Sequence, residues 1–204
     1  MAERHPIGLV VRDDLRRSRV TVAFRLLLAV PHLVILLVFG LAAIVAAILN
    51  LLATLARGSS PARLHGFLAD LLSYATRVHA YLLLLADPYP SLPGGRDYPV
   101  ELRVSPPAPQ RRWTVLLRPV LALPAAVLAS VFAYLAGVLA VLGWFVCLAR
   151  GRFPQGMRDL GAYCLRYVLQ TQGYLLLLTP IYPSLDGPPG LELVPDQPGF
   201  VAQT

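Results

Sequence analysis

Shifted by 93 positions, the chain falls on itself without a gap: from Arg19 to Leu92, 31 of 74 residues are identical to those from Arg112 to Leu185. Arg25 meets Arg118 and Pro31 meets Pro124. Arg57-Gly58-Ser59-Ser60-Pro61 meets Arg150-Gly151-Arg152-Phe153-Pro154. Tyr81 to Leu85 meets Tyr174 to Leu178, and Tyr89-Pro90-Ser91-Leu92 meets Tyr182-Pro183-Ser184-Leu185. Self-similarity at a fixed period marks a fold made of repeated units. It divides the chain into two homologous halves, residues 1–98 and 99–204.

Each half has one plan. A short alternating segment comes first, Ile7 to Val11 or Val100 to Val104, and reads as a half-buried strand. An Arg-rich lead-in follows, Arg16 to Arg25 or Arg111 to Arg118. Then come a long apolar helix, an Arg-Gly-x-x-Pro turn, a second and more mixed helix, and a Tyr-Pro exit. A third alternating segment, Leu191 to Val194, follows the second copy. An isolated hairpin is marginal, so the three segments are expected to pair into a small sheet outside the bilayer, on the cytoplasmic side.

The uncharged run from Leu26 to Ala56 is 31 residues long. That exceeds the roughly 7–15 residues of a cleavable signal and the roughly 20 of an upright span. It predicts a tilt, a kink near Pro31, or an interfacial first turn. Pro119 to Ala149 is its copy. The chain is 56% hydrophobic and 14% charged, with mean hydropathy +0.62. A typical soluble domain is about 25% charged, so an ordinary soluble globular protein is nearly excluded.

All 18 basic residues are Arg, against 11 acids. Arginine beside long apolar runs points to positive-inside topology and anionic headgroups rather than nucleic acid. Arg25, Arg57, Arg118, Arg150 and Arg152 are the candidate headgroup contacts. Eleven Arg, Arg4 and Arg96 among them, fall in the N-terminal segment, linker and lead-ins, and five fall in the two turns. The positive-inside rule then puts both termini and the linker in the cytoplasm, with four spans in the cell membrane. Five Arg in outside turns is unusually many, which keeps open an architecture in which some helices do not cross.

The second helices carry polar stripes. Within Phe67 to Ala86, Asp70, Ser73 and Arg77 share a face. In the copy, Asp159, Tyr163, Arg166 and Gln170 do so. A charge at a bilayer centre costs about 2.5–3.5 kcal/mol, so each stripe must face helices, water or headgroups. Either the stripes pack inside a bundle, or the helices lie in the interface and snorkel their arginines. Asp70/Arg77 and Asp159/Arg166 share one spacing, with about 10.5 Å of rise between the charges. That spacing suits a polar lock between the copies better than pairing within a helix. A permeation or headgroup path is the alternative.

His32 is a candidate interfacial group near the helix start. His65 and His79 lack a metal spacing. Gly-x-Ser-x-Gly, Walker and Gly-x-Gly-x-x-Gly motifs are absent. No catalytic, cofactor or metal site is therefore expected. Cys147 and Cys164 read as buried apolar residues. Gly58 and Gly151 read as helix C-caps with Arg at the dipole end and Pro beyond. A phosphate-binding turn helped by Arg152 and Arg158 is the alternative there. Tyr89, Tyr98, Trp113 and Tyr182 fall where an aromatic belt is expected.

Three stretches carry a family resemblance. Arg25-Leu26-Leu27-Leu28-Ala29-Val30-Pro31-His32 resembles an R-L-L-x-x-P-H opening. Trp144 to Pro154 resembles a W-F-x-x-L-x-x-G-x-x-P turn. Arg77 to Pro90 resembles an R-x-x-A-Y-x-x-L-L-x-D-x-Y-P close. Together they resemble the bacterial membrane proteins grouped as domain of unknown function 4389, in two copies over about residues 5–195. The second copy departs at Ala125, Gln170 and Pro180, which stand for His, Arg and Asp. The first departs at Leu51-Leu52 for Trp-Phe and at Gly66 for Asp. No intact polar site is therefore duplicated. The resemblance implies a multi-pass bacterial membrane protein and transfers no activity.

The expected architecture is an all-α membrane protein of two tandem helical hairpins, nominally four membrane helices, with short cytoplasmic strands. The expected role is non-enzymatic: a scaffold or accessory subunit contacting anionic lipid, alone, as a homo-oligomer, or with a membrane-protein partner. A transporter or channel component acting as an oligomer is the alternative. A lipid-modifying enzyme fits least, because the four His are scattered.

Overall fold

A computed structural model describes residues 5–12, 14–91, 98–185 and 191–194. Arg4, Leu92 and Arg96 lie outside them. The element order is β1 (Ile7–Arg12), α1 (Arg19–Arg57), α2 (Ala62–Leu82), β2 (Val100–Val104), α3 (Arg112–Leu121), α4 (Leu123–Arg150), α5 (Gln155–Leu175) and β3 (Leu191–Val194).

The two copies build their long helices differently. α1 is continuous for 39 residues and carries Pro31 inside it. In the copy, Pro119 and Pro124 flank a break at Ala122, which separates α3 from α4. A proline removes one backbone donor and crowds the carbonyl four residues back. One such defect is absorbed in α1; two within five positions are not. The kink expected near Pro31 thus falls in the other copy. Both long helices end as their sequence predicts. Gly58 (φ 78°) and Gly151 (φ 68°) are left-handed C-caps whose N–H groups donate to Thr54 and Cys147.

The three alternating segments form one sheet in the order β2-β1-β3, with β1 antiparallel to β2 and parallel to β3. The β1–β2 register is informative. Leu9 pairs with Leu102, its own repeat-mate, and Ile7 pairs with Val104, the mate of Val11. Each residue faces the counterpart of one equally far from Leu9, so a twofold axis relating the copies passes between Leu9 and Leu102.

That axis exchanges the strands. β1, which leads into the first copy, packs on α5 of the second, and β2 packs on α2 of the first. A Cβ added to Gly173 of α5 would lie 2.1 Å from Ile7 Cδ1, so the helix has no room for a side chain under the strand. α1 packs on α2, and α4 on α5. The layers are therefore sheet, then α2 and α5, then the long helices. The core lies between the first two layers, where Ile7, Leu9, Val11, Leu68, Leu72, Leu165 and Leu169 are buried together.

The outer face of the long-helix layer is apolar and open. Leu26, Leu33, Leu37, Leu41, Ile44, Ile48 and Leu52 of α1 are exposed, as are Val127, Val131, Val138, Val141 and Phe145 of α4. Among the described residues, α1 and α4 alone are long and apolar enough to cross a membrane. Of the four membrane helices expected from sequence, these two meet that measure among the described residues. α2 and α5 carry too much polarity for that role and are buried between the other layers.

The charge count also needs correction. It set the lead-ins on one side of a membrane and the turns on the other. Instead, each lead-in sits against the turn of the other copy. Arg17 N–H donates to Gly151 O at 3.0 Å, and its mate Gln110 donates to Gly58 O at 2.8 Å. Short antiparallel bridges join Arg16 to Arg152 and Ser59 to Pro109.

Candidate functional site

The polar chemistry of the molecule concentrates at these two junctions. One gathers the start of α1, the end of α4 and the end of α2. The other gathers the start of α3 and the ends of α1 and α5. Arg19 donates to Ala149 O and its mate Arg112 to Ala56 O, each at 3.0 Å. Each lead-in arginine thus caps the C-terminus of the other copy's long helix, where the helix dipole favours a cation.

Beneath each junction is a strained turn. α2 and α5 end in Schellman motifs, with the Leu85 N–H on Ala80 O and the Leu178 N–H on Gly173 O. The left-handed position of that motif usually holds Gly. Here it holds Leu84 (φ 61°) and Leu177 (φ 63°). A non-Gly residue in that region costs about 1–3 kcal/mol and persists only where its surroundings over-determine it. Arginine supplies the constraint. Arg25 Nη1 donates to Tyr81 O at 2.6 Å and to Ala86 O at 3.2 Å. Arg118 Nη1 donates to Tyr174 O at 2.8 Å and to Thr179 O at 3.0 Å. Each guanidinium also lies 4.3 Å from the ring centroid of that same tyrosine.

The second amine of each arginine shows where the copies diverge. Arg25 Nη2 meets Asp87 at 2.9 Å. In the second copy Asp87 becomes Pro180, and Arg118 Nη2 donates instead to Gln110 Oε1 at 2.8 Å. Gln110 replaces Arg17, and both donate to the strained residue's carbonyl, Arg17 to Leu84 O and Gln110 to Leu177 O. The replacement of an acid by proline is matched by the replacement of a cation by an amide.

Arg25 and Arg118 are both buried to 2% exposure, so they do not contact headgroups as the sequence suggested. Arg57, Arg150 and Arg152 are exposed at the junctions. So are Arg16 and Arg19 at one end and Arg63, Arg111 and Arg112 at the other. Each junction therefore carries four exposed arginines. Arg57, Arg63, Arg111 and Arg112 make no ion pair among the described residues.

The polar stripes go separate ways. Asp70 is exposed, Ser73 is half-buried, and Arg77 donates to Ser91 Oγ at 2.9 Å. Asp159 meets its neighbour Arg158 at 2.8 Å. Arg166 is buried beside the Tyr163 ring. Gln170 donates across copies to Ile7 O at 3.3 Å and accepts from the Ser184 N–H of its own copy at 3.2 Å.

His32 is buried rather than interfacial. Its Nδ1 lies 2.6 Å from the Tyr74 hydroxyl, and its ring centroid is 4.6 Å from that of Tyr89. Of the aromatic-belt residues, Trp113, Tyr89 and Tyr182 are exposed, whereas Tyr98 is buried beneath the sheet. Burial raises the Tyr98 hydroxyl well above the ordinary tyrosine range, and nearby Arg25 opposes this only in part. Burial also lowers His5 below its usual value. Cys147 and Cys164 are both buried.

One further cross-copy exchange escaped the sequence reading. Asn50 donates to Leu176 O at 3.1 Å and accepts from Ser60 Oγ at 2.6 Å. Their mates are Gly143 and Phe153, and Phe153 fills the space a side chain at Gly143 would need. A polar pair in one half is a ring on a bare helix in the other. The substitution of both partners together was the available signal.

The family model for domain of unknown function DUF4389 matches residues 19–92 and again residues 112–185. No curated protein and no solved structure matches the chain. Each matched region begins at a capping arginine, Arg19 or Arg112, and runs through the exit of its own half. The strands that each half lends to the other fall outside it. The chain belongs to the DUF4389 family, in two tandem copies.

Proposed function

We propose that the protein seats in one leaflet of an anionic membrane and acts there as a non-enzymatic scaffold or accessory subunit. The layer order carries this reading. A polar-faced sheet lies on one side and an exposed apolar helix layer on the other, with arginines at both ends of that layer.

A four-span bundle fits this order poorly. The sheet lies along the sides of α2 and α5, not beyond their ends, and its outer face carries the exposed Arg12–Glu101 pair. Standing the helices upright would drag that pair and the sheet edges into hydrocarbon, where unpaired backbone groups cost several kcal/mol each. Laid flat, α1 is about 58 Å long at 1.5 Å per residue, and its apolar face enters the acyl region as in interfacial helices. Each exposed junction arginine then adds about 1 kcal/mol at an anionic surface.

The test is a labelling experiment on the full chain in vesicles. Ala62 and Gln155 are repeat-mates, exposed, and at opposite junctions. Ala62→Cys and Gln155→Cys are each treated with an impermeant maleimide. Labelling of both from the same side is the expected result. Labelling from opposite sides overturns the seated arrangement and favours a multi-pass transporter or channel component. For the scaffold role, loss of the chain is expected to reduce assembly of a membrane complex, and intact assembly of every detectable complex counts against it.

A further inference from the structure

Between α2 and α5 runs an open groove of about 300 Å³ lined by Leu71, Leu72, Ala75, Gln172, Leu175 and Leu176. Its walls are apolar apart from Gln172. The volume is at the low end of ligand pockets, about 300–1,000 Å³. Its direction follows from helical geometry. Gly173 meets Ile7 of the sheet, and Ala80 is its repeat-mate. At 3.6 residues per turn, Leu71 and Leu175 lie roughly opposite Ala80 and Gly173. The groove therefore opens away from the sheet, toward the apolar side of the molecule.

One end of the groove leads to the uncompensated arginines. Leu176 O accepts from Asn50, and the adjacent Leu177 O accepts from Gln110, whose own N–H is bonded to Gly58. Arg57, Arg111 and Arg112 surround that point. Arg63, Phe67, Leu71 and Ala75 follow one another at four-residue spacing along α2, so Arg63 sits about 12 Å from Leu71 on the same side. A negative charge at this end and an aliphatic chain in the groove would both be matched.

We propose that this groove binds one acyl chain of an anionic phospholipid, with the phosphate held by Arg63 and the neighbouring junction arginines. This rests on the membrane reading above and adds a defined site to it. The twofold does not repeat the site, because Val168 stands for Ala75, Gly156 for Arg63 and Cys164 for Leu71. The expected stoichiometry is one lipid per chain.

The full chain is reconstituted with phosphatidylglycerol bearing a diazirine on an acyl chain, irradiated, and mapped by peptide mass spectrometry. Label is expected on peptides containing Leu71–Ala75 and Gln172–Leu176. Two variants borrow residues the other half already tolerates. Ala75→Val should remove most groove label while flotation with vesicles stays within about two-fold. Arg63→Gly should lower the preference for phosphatidylglycerol over phosphatidylcholine about five-fold, one arginine's weight at an anionic surface. Label confined to α1 and α4, or unchanged in Ala75→Val, overturns the site while leaving membrane seating intact. Wild-type protein that does not float overturns the membrane reading itself.

Discussion

The exchange of strands between halves makes a sharp prediction at Gly173. A Cβ there would lie 2.1 Å from Ile7 Cδ1 but 3.5 Å from Ile7 Cγ1. The clash is thus with one terminal methyl group. Gly173→Ala gains up to about 1 kcal/mol of helix propensity and incurs about 1–3 kcal/mol of overpacking, so alone it should destabilise. Ile7→Val alone should cost about 0.5–1.5 kcal/mol. In the Ile7→Val background the offending methyl is gone, and Gly173→Ala should become stabilising. The double variant recreates a pair already present, because the repeat-mates of Ile7 and Gly173 are Val100 and Ala80, both buried. The assay is denaturant unfolding in mild detergent, comparing midpoints at constant slope. The expected coupling is about 1–3 kcal/mol between residues at opposite ends of the chain. Additivity within about 0.5 kcal/mol would refute the seating of β1 on α5.

Four further outcomes follow from the same geometry. Gly143→Asn should destabilise against Phe153, and adding Phe153→Ser should recover part of the loss by recreating the Asn50–Ser60 pair; a double variant no better than the worse single one counts against the exchange. Arg118→Met should cost about 2–5 kcal/mol, because it leaves the Tyr174 and Thr179 carbonyls without that donor. Arg150→Ala, exposed at the other junction, should change stability by less than about 0.5 kcal/mol and weaken binding to phosphatidylglycerol vesicles several-fold; equal thermal stability of the two variants would contradict this contrast. The raised Tyr98 hydroxyl favours the neutral ring in the folded state, so its contribution is full below the ordinary tyrosine value near 10 and is lost as pH rises past it. Tyr98→Phe should flatten that alkaline loss, read as thermal midpoints above pH 10.

Much of this fold was legible in the chain itself. The offset of 93 residues revealed two homologous halves, period-2 alternation placed the three strands, and Gly58 and Gly151 marked the helix ends. Local periodicity carries such information because it depends on neighbours along the chain. What could not be read was the choice of partner across the chain. β1 can satisfy α2 or α5 equally in pattern, and the close fit of Ile7 on Gly173 and the Gln170 bond to Ile7 O are specific to α5. The same limit misassigned Arg25 and Arg118. An arginine beside an apolar run looks alike whether it meets a headgroup or a buried carbonyl. The distinguishing sign was the identical Tyr81 and Tyr174, each offering a ring face and a carbonyl to the same guanidinium. The turns resisted charge counting because it treats each helix as a separate crossing, whereas every lead-in here is hydrogen-bonded to the opposite turn.

The twofold through Leu9 and Leu102 gives the molecule two matching termini of charge and one continuous apolar underside. Seated on a flat bilayer as proposed, such a footprint would have no front or back apart from the one proposed lipid site. β3 removes that equivalence. It pairs with β1 alone, so one border of the sheet is lengthened while β2 remains the other border. Under the proposed seating, a partner arriving from the aqueous side would meet a platform with a distinct left and right. A partner that reads the sheet, together with the single proposed lipid site, would then set orientation in the membrane plane.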